Sequence, residues 1–289
     1  MSGIPTNRTN ISLPTEVSTE IIAKMQEGSA VMSLAEKTNL PGHGVTIPVI
    51  LSDPVASWVG ETEKKPVSNP SLGTKIMRGY VLSVIVPFSN QFRRDNASLY
   101  NEIVNRLPKV LGQKIDDTVF HGTAPGSDFD TFANVTAQSL ASDVYQGLVS
   151  ADTDIALNGG VNSGFVFSAQ GKGILLGATD DNKRPLFVNN VTEGAVPVVL
   201  GVRTKLSKAA FKSGSPSVIG YAGDWTQAKY GIVEDVQISI SDQATLTIEN
   251  EQVNLWERNM FAVRAEIEFG FRADTSVFNA LTATGVPSI

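Results

Sequence analysis

The segment that most constrains this fold is the run from Asn259 to Leu281, NMFAVRAEIEFGFRADTSVFNAL. Large apolar side chains occupy one parity of the run and charged side chains occupy the other. The apolar set is Phe261, Val263, Ile267, Phe269 and Phe271, and the charged set is Arg264, Glu266, Glu268 and Arg272. Because successive strand side chains point to opposite faces, this alternation predicts a strand of about a dozen residues, longer than the usual five or six. One face belongs in a core, and the ordered charges on the other favour a surface that meets copies of the same chain.

Composition restricts the class of protein. The 289 residues are 42% hydrophobic and 18% charged, which is typical of an ordered globular chain with a sizeable core. The formal net charge is −6 and the basic residues form no obvious stripe, so direct readout of nucleic acid is not expected, although an acidic wall would still repel packaged nucleic acid. The absence of cysteine excludes disulfides, thiol nucleophiles and Cys-ligated metals. We expect neither a secretory leader nor a membrane span.

The pattern of the first 88 residues predicts two segments that extend away from the body of the subunit, an N-terminal arm and a hairpin arm. Residues 1–14 are polar and predict an extended arm, and Thr15–Glu27 predicts a short amphipathic helix. Val45–Leu51 and Ile76–Val86 predict two strands. The polar, proline-rich run Asp53–Leu72 between them predicts a protruding hairpin arm, because connections of that length are usually functional or disordered.

A long helix is predicted after Asp95, which is a good N-cap residue. Its apolar stripe runs for about seven turns. The residues of the stripe are Leu99, Ile103, Leu107, Val110, Ile115 and Val119. Pro108 lies inside the stripe and predicts a bend or a split in the helix. The segment HGTAPGSD, which begins at His121, predicts the end of the helix.

Residues 134–255 mix helix and strand signals. Ser139–Ser150 predicts a helix, Gly164–Ser168 and Val196–Val202 predict strands, and Ile232–Ile248 predicts a strand pair. Frequent glycines in the middle of this region predict many turns. Helices and strands in separate segments predict an α+β fold.

In this order the elements resemble the major capsid proteins of tailed double-stranded DNA bacteriophages, which have the Hong Kong ninety-seven-type fold. The resemblance rests on a hairpin loop with Ala56–Glu61, a long helix ending in Asp116–Gly122, the sequence Ile219–Trp225 before the last strands, and a return strand beginning with Asn259–Glu266. It covers the chain from about Leu13 to Thr284. It implies an N-terminal arm and short helix at residues 1–40, an extended hairpin loop at 41–88, a peripheral domain with the spine helix at 89–133 and 256–289, and a central axial domain at 134–255.

The resemblance also implies a function. Subunits of this family form hexamers and pentamers that close into an icosahedral shell around double-stranded DNA, so we expect a structural virion protein that is not an enzyme. The implied partners are further copies of this chain, a separate scaffolding protein, a portal, and packaged DNA without sequence-specific contacts. Assembly is expected in the host cytoplasm, with no cofactor, metal or membrane.

Seven residues are candidates for contacts between subunits: Trp58, Glu61, Lys64, Lys65, Arg264, Glu266 and Glu268. Trp58 is an isolated large aromatic residue in a polar hairpin and has no core to join. Burial against a neighbouring subunit is therefore expected for it.

Some members of this family cross-link their shells through an isopeptide bond, in which a hairpin lysine attacks an asparagine and a glutamate takes up the proton. By resemblance, Lys64 or Lys65 would be the donor, and Asn259 and Glu266 match the acceptor and the glutamate in place and spacing. The chemistry needs a buried, neutral amine with a carboxylate within reach. The odd spacing puts Asn259 and Glu266 on opposite faces of a regular strand, so a salt bridge for Glu266 and a backbone hydrogen bond for Asn259 are the simpler interpretation.

Two alternatives stay open. An encapsulin-type nanocompartment shell has the same fold, although the extended arm and long hairpin favour the phage protein. A carbohydrate-active or hydrolytic α+β enzyme is the third possibility, but no convincing catalytic constellation is present. Glu266 and Glu268 share one strand face, where a row of salt bridges explains them better.

Overall fold

The computed structural model describes residues 25, 28–52, 54, 56–62, 64–68, 71–180, 182–187, 198–248 and 251–286. The predicted arm at residues 1–14 lies outside the described residues, and so does the predicted helix Thr15–Glu27 apart from Met25. The described helices are, in chain order, α1 (Ala30–Leu34), α2 (Asn90–Asp95), α3 (Ala97–His121), α4 (Val144–Leu157) and α5 (Ala169–Gly177).

The described strands are, in chain order, β1 (Glu36–Asn39), β2 (Val45–Ser52), β3 (Ser71–Met77), β4 (Tyr80–Ser89), β5 (Thr136–Ser139), β6 (Gly164–Phe167), β7 (Val198–Val199), β8 (Val202–Leu206), β9 (Ser217–Gly223), β10 (Ala228–Ser241), β11 (Thr245–Ile248), β12 (Glu251–Asn254), β13 (Met260–Ala273) and β14 (Phe278–Ala283). They form two large sheets and two separate hairpins. Helices and sheets of this kind are the α+β architecture that the sequence predicts.

The predicted long strand is β13, with 14 residues, in a four-stranded sheet of order β1-β10-β13-β4. The predicted apolar face is confirmed, because Phe261, Val263, Ile267, Phe269 and Phe271 are all buried. Arg264, on the opposite face, is exposed. Strand β13 pairs antiparallel with β10 on one side and with β4 on the other. Burial on one face and pairing along both edges therefore stabilise this strand.

Helix α3 is one continuous helix of 25 residues with Pro108 inside it, so the predicted split is wrong. Asn96, and not Asp95, precedes the helix, and the Asn96 side chain makes no capping hydrogen bond. The buried stripe consists of Leu107, Leu111, Ile115 and Val119. Two predicted members of the stripe, Leu99 and Val110, are instead 46% exposed. Spacing by four residues therefore describes the packed face better than the predicted stripe does.

The hairpin arm differs from the prediction in its second strand. Strand β2 pairs with β3, which ends at Met77, whereas most of the predicted strand Ile76–Val86 belongs to β4 in the four-stranded sheet. The turn at Arg78–Gly79 separates β3 from β4, and a Cβ at Gly79 would lie 2.6 Å from the side chains of Val233 and Glu268. The chain therefore changes sheets where the sequence reads as one β-branched run.

The second large sheet has six strands in the order β5-β14-β9-β6-β8-β7. The predicted helix Ser139–Ser150 begins later, as α4, because Asp143 accepts a hydrogen bond from the Gln146 N–H and caps it there. The predicted strand Val196–Val202 is interrupted at Leu200 and Gly201, whose φ angles of 50° and 78° form a turn between β7 and β8. The two strands predicted within Ile232–Ile248 are confirmed as the end of β10 and as β11, with residues 242–244 between them. Each pairs with other strands, β10 with β13 and β1, and β11 with β12.

Sheet membership crosses the predicted domain boundaries at several places, of which two concern the axial and peripheral domains. Strand β10, predicted in the axial domain, lies in the four-stranded sheet, and β14, predicted in the peripheral domain, lies in the six-stranded sheet. The chain crosses between the sheets at Asp274, whose carboxylate caps the short 3-10 turn Thr275–Val277. One aromatic cluster joins the two sheets: the ring centroids of Phe132 and Phe278 are 4.3 Å apart, and Phe132 also contacts Phe271 at 5.7 Å.

Candidate assembly surfaces

The hairpin loop presents the most exposed large aromatic side chain of the described residues. Trp58 has a relative exposure of 104%, so its indole lies wholly in solvent. Glu61, Lys64 and Lys65 in the same loop are also exposed. Burying a large apolar side chain is worth about 2–3 kcal/mol, so this loop leaves a substantial favourable contact unmade in the isolated subunit. We call Trp58, Glu61, Lys64 and Lys65 the hairpin tip.

At the other end of the hairpin lies an ion-pair cluster that the sequence analysis missed. Arg272 Nη1 lies 2.8 Å from Asp130 Oδ1, and Arg272 Nη2 lies 3.1 Å from Asp128 Oδ1. Lys75 Nζ of β3 lies 3.7 Å from Asp130 Oδ2, and Arg78 Nε lies 3.5 Å from Asp128 Oδ2. The Arg272 side chain is only 11% exposed. We call these five residues the root clamp.

The root clamp attaches the hairpin to the four-stranded sheet. Arg272 of β13 donates from Nε to the Ile76 carbonyl of β3 at 2.7 Å, and Lys75 of β3 donates to the Ala273 carbonyl of β13 at 3.1 Å. The C-terminal ends of β3 and β13 are therefore joined by charged side chains and by hydrogen bonds to the backbone. The charged Arg272 that the sequence placed on an outward face is instead mostly buried at this junction.

The charged face of β13 lies at the centre of a three-strand surface. Register places Arg264 between Ile85 and Ser239, Glu266 between Ser83 and Gln237, and Glu268 between Val81 and Glu234. We call these nine residues the outer face. Paired residues on neighbouring strands lie on the same side of a sheet, so these three rows form one continuous surface.

The outer face combines exposed apolar groups with an excess of carboxylates. Val81 is 69% exposed and Ile85 is 46% exposed. Arg264 Nη2 lies 3.0 Å from Glu266 Oε1, which uses the single cation of the face within the same subunit. Glu234 and Glu268 lie opposite each other across the ladder and line a cleft of about 110 Å³. Like charges in such a pair are destabilising, so a cation from a partner would stabilise this surface.

A buried aspartate in α3 organises the start of the described chain. Asp116 has no exposed surface and accepts four hydrogen bonds, two at each carboxylate oxygen. Oδ1 accepts from the Ser29 hydroxyl at 2.6 Å and the Val31 N–H at 3.2 Å, and Oδ2 accepts from the Ala30 N–H at 2.8 Å and the Ser207 hydroxyl at 2.8 Å. One side chain therefore joins α1, the spine helix α3 and the segment after β8.

Burial raises the pKa of the Asp116 carboxyl above its usual range, while the hydrogen bonds from Ser29, Ala30, Ser207 and Val31 act in the opposite direction. The carboxylate lies at the start of α1, where a helix has free N–H groups and favours negative charge. The Ser29 hydroxyl accepts from the Met32 N–H and completes the cap. The arrangement is structural and has no access to solvent for chemistry.

The cross-link candidates do not meet within one subunit. Asn259 lies in the turn before β13 with a φ of 53°, and its side-chain oxygen accepts from the Asn90 amide at 2.8 Å. Glu266 is seven residues further along an extended strand, which separates the two Cα atoms by about 23 Å. Lys64 and Lys65 are exposed, so neither amine has the apolar surroundings that the chemistry requires within the isolated subunit.

Within the described ranges, no group of three or more His, Asp or Glu side chains is arranged to hold a metal ion. The helices described here include none that combines the length and apolar character needed to cross a membrane.

Comparison with known proteins places most of the chain among capsid proteins of phages. Residues 10–276 match the family model described as Phage capsid family. Among curated proteins, the probable major capsid protein gp17 of Mycobacterium phage D29 is 28% identical over 93% of this chain and 89% of its own length. The major capsid protein of Staphylococcus phage 80alpha is 26% identical over 93% of this chain and 84% of its own length.

Solved structures share the fold. A chain of Mycobacterium phage Adephagia superimposes with a TM-score of 0.74 at 20% identity, covering 90% of this chain and 92% of that chain. A chain of Gordonia phage Cozz gives a TM-score of 0.73 at 21% identity, covering 89% and 87%. The capsid of a native GTA particle gives a TM-score of 0.67 at 14% identity, covering 89% and 90%. At these identities the likeness extends to the fold alone.

Proposed function

Because the chain belongs to the phage capsid family, we propose that it builds the shell of a phage head as hexamers and pentamers of itself. It is a major capsid protein and a structural component of the virion. The observation that carries this conclusion is the match of residues 10–276 to one family, with relatives that align along 93% of the chain. The encapsulin alternative is not favoured, since the relatives are capsid proteins of phages.

The remaining partners follow from the same proposal. A separate scaffolding protein would guide assembly in the host cytoplasm, a portal would occupy one vertex, and double-stranded DNA would be enclosed without sequence-specific contacts. The net charge of −6 supports the last point, because an acidic wall repels a polyanion and does not grip it.

Electron microscopy of the chain, purified alone and after co-expression with its scaffolding protein, tests the proposal. We expect closed shells, or rings and tubes of capsomers, in at least one of the two samples. A chain that stays monomeric in both samples would contradict the proposed function.

The hairpin tip is proposed to dock on the outer face of a neighbouring subunit. Trp58 supplies a large aromatic anchor of the kind that dominates interface energetics, and Lys64 and Lys65 supply the cations that the carboxylate-rich outer face lacks. Glu61 would meet Arg264 on docking, in competition with Glu266, which pairs with Arg264 in the isolated subunit. Two features support this pairing: the full exposure of Trp58 in the subunit and the complementary charges of the two surfaces.

Reversing the two lysine charges tests this docking. The double variant Lys64→Glu, Lys65→Glu should lower the yield of shells roughly tenfold, because it places like charges together. Adding Glu266→Lys and Glu268→Lys should restore part of the yield. Lys183→Glu, at an exposed lysine outside the hairpin, is the matched control and should assemble normally. Normal assembly of the hairpin variant would exclude this contact.

A covalent cross-link would join the amine of Lys64 or Lys65 to the side-chain carbonyl carbon of Asn259, with Glu266 taking up the amine proton and the asparagine amide leaving as ammonia, and it requires groups from different subunits. Asn259 and Glu266 would come from two copies, since the strand between them spans about 23 Å, and Lys64 or Lys65 would enter an apolar site only on docking. A boiled denaturing gel of purified shells tests this proposal. Bands above the monomer that disappear in Asn259→Ala shells would support it, and a monomer band alone would exclude it.

A further inference from the structure

We propose that subunits within one ring also meet through a second pair of surfaces, on different parts of the six-stranded sheet: the acidic end of α4 on one copy docks in a basic cleft beside α5 on the next copy. This inference rests on the proposed function, because it assigns a contact between neighbouring subunits of a capsomer. It concerns residues that lie apart from the hairpin tip and from the outer face.

The basic cleft is an open cavity beside the six-stranded sheet. Its volume is about 690 Å³, and it lies between α5, the end of β8 and the short 3-10 turn Lys208–Ala210. Leu206 and Phe211 supply apolar surface, and Lys172 and Lys208 supply cations. Leu206 is 52% exposed. An apolar floor beside cations fits a protein segment that carries both apolar and acidic side chains.

The charge around this cleft is unusual for an acidic chain. Residues 194–223 contain no acidic side chain but include Arg203, Lys205, Lys208 and Lys212. Of these, Arg203, Lys208 and Lys212 are exposed. None of the four forms an ion pair with another described residue. A local excess of unpaired cations on a protein with a net charge of −6 favours an anionic partner surface.

The C-terminal end of α4 has the complementary character. Leu157 is 81% exposed and Val161, just after the helix, is 76% exposed. Asp154 lies one turn before Leu157 on the same side of the helix. The last turn contains no basic residue, although the C-terminal end of a helix favours cations. A lysine from a partner would therefore stabilise this helix end, and an apolar partner surface would cover Leu157 and Val161.

The sheet order shows that the two docking surfaces are different parts of one subunit, so the contact between copies is head to tail. Helix α4 contacts β5, β14 and β9, on the half of the sheet that ends at β5, whereas the cleft includes the end of β8, on the half that ends at β7. Strand β8 is three positions from β14, which corresponds to about 14 Å. Two different surfaces that pair between copies form a heterologous contact, and such contacts close into rings when the rotation allows. A ring of five or six subunits is the assembly that the proposed function requires.

Cross-linking tests the contact directly, because the chain contains no cysteine. The variant Leu157→Cys, Leu206→Cys, assembled into shells with the scaffolding protein and treated with a short bismaleimide, should give a ladder of covalent bands that reaches five and six chains. Both sites are exposed, so folding should be unaffected. The control variant Leu157→Cys, Val81→Cys, with its second cysteine on the outer face, should give no ladder. The proposal would be overturned if the variant gave no more cross-linked oligomers than the control. It would also be overturned if the only product were a faster-migrating monomer, which is a cross-link within one chain.

A charge swap gives an independent test. Lys208→Glu should lower shell yield roughly tenfold, and adding Asp154→Lys should restore it, since the swap replaces repulsion by attraction. If Lys208→Glu shells form normally but hold less DNA, the cleft faces nucleic acid and the proposal is wrong. Wild-type shells made in parallel distinguish failure of this contact from failure of the proposed function. If the wild type forms shells but the cysteine variant gives no ladder or the charge swap gives no rescue, only this contact is overturned. If the wild type never assembles, the proposed function is contradicted.

Discussion

At the scale of single residues, Asp116 carries the most structural information. Its carboxylate accepts hydrogen bonds from two backbone N–H groups and two serine hydroxyls, and all four donors are at least 85 positions away from it along the chain. A fully buried carboxylate is costly unless every lone pair is used, and here each oxygen accepts two bonds. The residue therefore fixes where the chain leaves the N-terminal region and enters the body of the subunit.

Removal of this carboxylate should destabilise the unassembled subunit strongly. Asp116→Ala leaves four donors without an acceptor and should lower the free energy of unfolding by about 4 kcal/mol. Asp116→Asn keeps one oxygen and the volume, and should cost about 2 kcal/mol. Urea unfolding followed by circular dichroism measures both variants. A loss below about 0.5 kcal/mol for the alanine variant would contradict this role.

Two aspartates should give opposite pH dependence. Burial raises the pKa of Asp116, so its contribution is fully present below the unfolded pKa, near 3.8, and is lost as the pH rises through the folded pKa. For Asp224, burial acts to raise the pKa, but hydrogen bonds from Thr226, Val161 and Gln227 lower it overall. Its contribution is present above the unfolded pKa and is lost as the pH falls through the folded pKa.

The two asparagine variants make this prediction measurable. The stability difference between the wild type and Asp116→Asn should shrink as the pH rises above about 4, whereas the difference for Asp224→Asn should fall as the pH is lowered below about 4 and stay nearly level above about pH 5. Unfolding in urea at several pH values provides both curves, and each variant serves as the control for the other. Parallel curves for the two variants would contradict the assigned causes.

At the scale of elements, the hairpin depends on its root for its direction. Strands β2 and β3 pair mainly with each other, and a two-stranded hairpin alone is marginal in water. The root clamp supplies the attachment to the four-stranded sheet, with Arg272 bridging Asp128 and Asp130 in a mostly buried position. A planar guanidinium suits this double contact better than an ammonium does.

Loss of Arg272 should therefore release the hairpin. Arg272→Ala should cost about 3 kcal/mol, because it leaves two partly buried carboxylates facing each other, and Arg272→Lys should cost less. Hydrogen exchange followed by mass spectrometry should speed up in Val45–Ser52 and Ser71–Met77. Arg258→Ala, which breaks an exposed ion pair with Glu251, is the control and should leave exchange unchanged. Equal exchange in both variants would exclude the clamp.

At the scale of the whole molecule, the two large sheets share one core. The hairpin and the outer face lie outside this core and expose large apolar side chains to solvent. Phe120 of α3, Tyr221 of β9 and Phe278 of β14 belong to one aromatic cluster, and the Tyr221 hydroxyl donates to the Phe120 carbonyl at 2.7 Å. The subunit is thus joined internally by close packing, and its exposed apolar groups are left for partners. This division suits a protein that folds first and assembles afterwards.

Substitution of Trp58 should separate folding from assembly. Because the indole is 104% exposed, Trp58→Ala should change the stability of the unassembled subunit by less than about 0.5 kcal/mol. The shell yield of this variant should fall several-fold. The yield of Trp58→Phe, which keeps an aromatic ring, should fall less. Sedimentation of assembly reactions measures the yield. Normal shells of unchanged thermal stability with Trp58→Ala would contradict an interface role.

Much of the fold followed from local patterns. The alternation from Phe261 to Phe271 predicted β13 and its buried face, and the resemblance to phage capsid proteins supplied the family that the comparisons confirm. The sequence-based prediction of strands fails where one continuous residue pattern spans two strands. The run Ile76–Val86 predicts a single strand although it crosses from β3 to β4, because β-branched residues suit both strands and only the turn at Gly79 separates them.

Local periodicity indicates most of the strands and helices and the apolar face of each, since burial acts on every element separately and leaves a period of two or of about 3.6 residues. The pairing of polar groups, in contrast, follows only from the folded arrangement. Asp116 meets Ser29 and Ser207, and Arg272 meets Asp128 and Asp130, across separations of 87, 91, 144 and 142 residues. No periodicity records such pairs, because a charge chooses its partner by distance after the chain has folded.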